Sequence, residues 1–254
     1  MIIINRLIPW LSAFLILLIL EQILATPKQL HWLIGMALAL VILGVWQLMD
    51  RQIFNKRFVE LVTTPVLFLG SGILFLSFLQ GNLLKQAVIL ILALLIGIYL
   101  EVILFRFQIR PRYQPHSLDN ISTHLGLLAL FFLSSGLFSL IVFLGLPLWS
   151  AALIFGGGCL LLTSQLLWVS ETTFVRSWQF VFVISLVAME VFLVVGFMPT
   201  SINVNALIVS LGYYLMDGLA RNWLLGIKEK KVIRRYLLIA VFSLIIILAT
   251  AKWF

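Results

Sequence analysis

The chain has 254 residues, of which 63% are apolar, 13% aromatic and only 10% charged. Soluble domains carry about 25% charged residues, so an ordinary water-soluble fold is excluded, as are disordered, collagen-like and disulfide-framework chains. The formal charge of +8 comes from basic residues scattered between apolar stretches. That scatter argues against a nucleic-acid-binding patch and fits retention of Lys and Arg on the cytoplasmic side of a bilayer.

A helix needs about 20 mostly apolar residues to cross a hydrocarbon core of about 30 Å. Nine segments meet that length: Leu7 to Ala25, Leu30 to Met49, Phe58 to Leu79, Leu84 to Phe105, Ile121 to Leu144, Leu148 to Val169, Trp178 to Phe197, Ile202 to Leu225 and Tyr236 to Trp253. They are apolar all round, without the alternation of a membrane barrel, and backbone inside lipid must satisfy its own hydrogen bonds. The expectation is an all-α bundle of nine spans forming a single transmembrane domain over residues 1–254.

The first span follows Arg6 much as the apolar core of a secretory signal follows its basic segment. It runs on past Glu21, however, and Ile23 is too bulky for the position three residues before a cut after Ala25, so it reads as a retained span. Alternation of nine spans puts 14 basic residues on one face and only Lys28, Lys85 and Lys252 on the other. The asymmetry predicts the N-terminus inside and the C-terminus outside. All eight tryptophans fall near a span end, where an amphipathic ring is most stable. The connecting loops are too short to hold a soluble domain, so function is expected in the spans.

The third and fifth spans share a pattern at an offset of 64, Phe68-Leu69-Gly70-Ser71-Gly72-Ile73-Leu74 beside Phe132-Leu133-Ser134-Ser135-Gly136-Leu137-Phe138. A duplicated hairpin would produce it, but apolar helices also share Leu, Phe, Gly and Ser by chance, and chance is favoured because one stretch alone matches.

Ionisable groups inside hydrocarbon cost about 2.5 to 3.5 kcal/mol, so each needs a partner or a role. Glu190 is the deepest of them, with no cation within a helical turn in sequence. It reads either as a proton-coupling or cation-binding carboxylate or as a neutral or hydrogen-bonded acid joining two helices, with a partner on another helix or a raised pKa as the alternatives. In the eighth span Asn203, Ser210, Tyr214, Asp217 and Arg221 recur at intervals of seven, four, three and four, which places them on one face. That stripe is expected to line a substrate or ion path, or else to hold an interior helix by hydrogen bonds with Asp217 and Arg221 as an i,i+4 pair.

A second polar group is expected at the inner side: Glu101 near the end of the fourth span, facing His124 or Arg221, with Arg110 and Arg112 in the one substantial loop. The two arginines suit a phosphate or an anionic lipid headgroup, though plain retention of basic residues on the inner side is the favoured explanation. His116, Asp119 and His124 match no metal-ligand spacing, and Ser117 or Asp119 ahead of an apolar run is the pattern of a helix N-cap. No metal or other cofactor is expected.

Enzyme motifs are wanting. Asp217-Gly218-Leu219-Ala220-Arg221 resembles the opening of the CDP-alcohol phosphatidyltransferase motif but is one residue short and lacks the two aspartates that complete its Mg²⁺ site. Zincin, serine-hydrolase and P-loop patterns are missing, and Cys159 after Gly156-Gly157-Gly158 reads as an inert thiol beside glycines that permit close helix approach. The final third, with Phe197-Met198-Pro199-Thr200, Tyr213-Tyr214, Arg221, Arg235-Tyr236 and Ala251-Lys252-Trp253, resembles the tail of a small uncharacterised family of bacterial polytopic membrane proteins. The resemblance implies a multi-pass protein of a bacterial plasma membrane and no catalytic residue. The functional expectation is a transporter or translocation accessory, with an intramembrane enzyme acting on a lipid-linked substrate and a structural or assembly subunit as alternatives.

Overall fold

The computed structural model describes residues 2–49, 56–109, 114, 116–169, 174–226, 229–251 and 253. Among them are nine helices long and apolar enough to cross a membrane, and no strand. In chain order they are α1 (Ile2–Ala25), α2 (Leu30–Leu48), α3 (Lys56–Phe78), α4 (Asn82–Phe107), α5 (Ser117–Leu144), α6 (Leu148–Val169), α7 (Phe174–Val195), α8 (Ile202–Leu224) and α9 (Lys230–Thr250). The described residues are thus all-helical, and the nine helices are consistent with a multi-pass membrane protein.

Several helices begin before the apolar run does. The fifth starts at Ser117, four residues ahead of the expected Ile121, and the ninth at Lys230, six ahead of Tyr236. In α9 the added turns carry Lys230, Lys231, Arg234 and Arg235, good helix formers whose long stems reach back over apolar surface, and in α5 the acidic Asp119 sits in the first turn, where the helix dipole favours it. At its other end α9 stops at Thr250, and Trp253 instead makes an isolated bridge with Thr200 in the turn between α7 and α8.

The chain divides into two compact units, Met1–Ala129 and Leu130–Phe254, with the boundary inside α5. In the first unit, Gln86 of α4 donates to the Glu21 carboxylate of α1 at 3.1 Å, while Gln108 at the far end of α4 donates to the Leu48 carbonyl that ends α2. The helices therefore alternate up and down, as short connections require. Small residues set their separation. A Cβ placed on Gly97 of α4 would lie 2.9 Å from the Ala13 Cβ of α1, so these two backbones meet as closely as atoms allow.

Within α3, Pro65 has no N–H to bond the carbonyl of Leu61 four residues earlier. The fully buried Tyr99 of α4 fills the gap: its hydroxyl donates to that carbonyl at 2.8 Å, and Ser122 of α5 hydrogen-bonds the same hydroxyl.

The second unit is centred on stacked rings. Phe192 of α7 lies face to face with Phe138 of α5 at 4.3 Å and with Phe155 of α6 at 4.8 Å. In the glycine run of α6, Gly156 meets Met189 of α7 and Gly158 meets Leu133 of α5, while Gly157 between them has no neighbour within 4 Å among the described residues. Helix α9 packs along α8. The Tyr236 ring occupies the space beside Gly218, with its centroid 5.5 Å from that of Tyr214, and Ala240 is the buried residue of α9 among those described.

Candidate functional site

The buried face of α8 carries Ala206, Val209, Ser210, Tyr213, Asp217, Gly218 and Ala220. At about 100° per residue, this face is turned by roughly 60° from the stripe formed by Asn203, Tyr214 and Arg221. Ser210 and Asp217 lie where the two overlap. The five residues read as one stripe therefore have different surroundings.

Asn203 is exposed and accepts from Ser135 of α5 at 2.8 Å. Ser210 donates back to its own helix at Ala206, and Tyr214 turns to Tyr236 of α9. Asp217 is buried, at 3% exposure. Arg221, one turn further on, is partly buried near the C-terminal end of the helix.

The residue missed by sequence reasoning is Tyr213, the fully enclosed neighbour of Tyr214. Its hydroxyl lies 3.0 Å from that of Thr163 on α6, and Asp217 and Arg221 both act electrostatically on it. Cys159, one turn before Thr163, is buried beside the same phenol. Thr163, Tyr213, Asp217 and Arg221 thus form one polar seam between α6 and α8, about 10 Å deep at Asp217 counted from the end of α8 at Leu224. The available signal was Ala206-x2-Val209-x3-Tyr213-x3-Asp217-x2-Ala220, a mostly small and apolar face that packs better than the flank bearing Tyr214.

Two expectations are corrected. Glu190 does not reach a partner on another helix: it is exposed on the surface of the second unit, with no hydrogen bond among the described residues. Its side of α7 packs against nothing in that unit, because the face turned to α6 and α8 carries Val181, Ile184, Ala188, Phe192 and Val195 instead. His124 does not turn toward Glu101 either. It is exposed and bonded through Nδ1 to the carbonyl of Asn120 in its own helix at 2.7 Å, while Glu101 is half-buried on α4.

Arg110 and Arg112 lie outside the described residues. His116 has φ 63°, a left-handed turn that brings the chain into α5, and Thr123 donates to the Asp119 carbonyl. No group of three His, Cys, Asp or Glu side chains among the described residues is arranged to hold a metal ion.

No family model matches the chain, and no curated protein and no solved structure is significantly similar to it.

Proposed function

We propose that this chain is a carrier-type protein of a bacterial plasma membrane, a transporter or an accessory to translocation, with Asp217 as its working carboxylate. The observation that carries the reading is the position of that acid. It is enclosed by protein well inside the hydrophobic belt, next to a tyrosine–threonine hydroxyl pair and one turn from an arginine. Charges held at such depth are expensive and mark ion or substrate routes by default.

In this reading Asp217 takes up a cation or proton in exchange for the charge of Arg221, and the Tyr213–Thr163 pair closes the route beyond it. The N-terminus lies in the cytoplasm, supported by the 14 basic residues assigned to that face against three on the other. The seam then opens toward the cytoplasmic side, where the basic loops attract anionic lipid headgroups.

Water access tests the proposal. In a Cys159→Ala background, single cysteines at Asp217 and Ala220, on the cytoplasmic side of the Tyr213–Thr163 pair, are exposed to a membrane-impermeant maleimide from each side of sealed vesicles. Labelling of both from the cytoplasmic side is expected. Protection of both, with a loop cysteine at Gly145 reacting normally, would mean a dry seam and a structural subunit.

A further inference from the structure

The start of α9 concentrates charge. Residues 228–235 read Lys-Glu-Lys-Lys-Val-Ile-Arg-Arg, five bases and one acid within eight positions, and from Tyr236 the helix is apolar almost to its end. Tyr236 and Ala240 mark the side packed on α8. Turned from them by about 110° lies a shallow groove of about 320 Å³, lined by Lys230, Ile233, Arg234, Leu237, Leu238 and Val241. All six side chains are exposed, and the two bases stand at the end where the helix begins. Among the described residues neither Lys230 nor Arg234 makes an ion pair. From Lys230 to Val241 the axis advances about 16 Å, close to one leaflet of a hydrocarbon core of about 30 Å.

We infer that this groove binds one anionic phospholipid, with its phosphate against Lys230 and Arg234 and an acyl chain laid along Ile233, Leu237, Leu238 and Val241. Charge complementarity selects the occupant. Lys230 and Arg234 are one turn apart on one face, so both reach the same phosphate, and the first turn of α9 adds its own positive partial charge. Glu229 cancels one of the five bases and leaves an excess of four. A zwitterionic phospholipid carries its own amine into this field, whereas an anionic one brings negative charge unopposed. Basic clusters at the end of a spanning helix attract anionic lipid for this reason. The groove adds what a cluster alone lacks, an apolar track that starts at the phosphate and runs the depth of one chain. The inference rests on the membrane-spanning reading and is independent of any role for Asp217.

The test uses the full-length chain, delipidated in a non-ionic detergent and titrated with phosphatidylglycerol or with phosphatidylcholine of the same acyl chains, bound lipid being counted by native mass spectrometry. One phosphatidylglycerol per chain is expected to bind ahead of any phosphatidylcholine. Lys230→Gln with Arg234→Gln weakens that binding about thirtyfold, and the charge-keeping pair Lys230→Arg with Arg234→Lys retains it. Lys231→Gln with Arg235→Gln removes equal charge off the groove and costs a few-fold at most. A photoreactive side chain at Leu238 cross-links the phosphatidylglycerol, and one at Leu161 on the exposed side of α6 does not. Equal binding of the two lipids would overturn the inference, and so would equal losses in the two Gln pairs, which would mean diffuse attraction. Displacement of the lipid by millimolar inorganic phosphate would overturn it as well, in favour of a free-anion site. Lipid is counted without any flux, so failure here leaves the Asp217 proposal untouched.

Discussion

The hydroxyl of Tyr99 donates to the carbonyl of Leu61 at 2.8 Å, the carbonyl that Pro65 leaves without its helical partner. A proline inside a spanning helix is tolerated where a neighbour satisfies the freed oxygen, and here a tyrosine from α4 does so at full burial. Tyr99→Phe is expected to destabilise the first unit by about 1 to 3 kcal/mol, the cost of a buried acceptor left unmet. Pro65→Ala restores a donor within α3, so the same Tyr99 change should cost less in that background. Reversible unfolding of the four proteins in mixed micelles measures the coupling.

The approach of Gly97 to Ala13 is equally specific. An added methyl at Gly97 meets a Cβ fixed by its backbone, which cannot rotate away as a long side chain would. Gly97→Ala should therefore cost about 1 to 3 kcal/mol, and Ala13→Gly in the same chain should recover part of it. Unfolding curves of the single and double variants give the answer, and additive losses would refute the contact.

In the second unit, the Thr163–Tyr213 hydroxyl pair should show a coupling of about 0.6 kcal/mol in a Thr163→Val and Tyr213→Phe cycle, the average for such bonds between spanning helices. Cys159, packed beside them without exposure, should resist maleimide in the folded protein and react once it is unfolded in detergent.

The Tyr236 ring of α9 fits beside Gly218 of α8, where a side chain would displace it. Tyr236→Ala should raise hydrogen exchange along Val232 to Thr250 while leaving α6 and α7 protected, because those two helices are held by the Phe138–Phe192–Phe155 stack. Gly218→Leu should have the same local effect by displacing the ring.

The sequence by itself determined that the described residues are helical, in nine segments long and apolar enough to cross a membrane. The bilayer imposes those properties on any chain of this composition: length fixes the span, and the absence of water forces backbone hydrogen bonds inside each segment. The helix starts at Ser117 and Lys230 fell outside this logic because hydropathy does not register a helix that continues into the interface.

Which side of each helix is buried was decided by tertiary structure alone. In a soluble helix, polar residues mark the outside; in α7 and α8 both lipid and protein are apolar, so the contrast that reveals a face is nearly gone. Shape decides instead. The flat side of α8 at Ala206, Tyr213 and Ala220 packs inward and leaves Tyr214 to α9, and the side of α7 built around Ala188 and Phe192 packs inward and leaves Glu190 outside. A carboxyl that the sequence locates by depth is thus assigned its direction by how closely its neighbours fit.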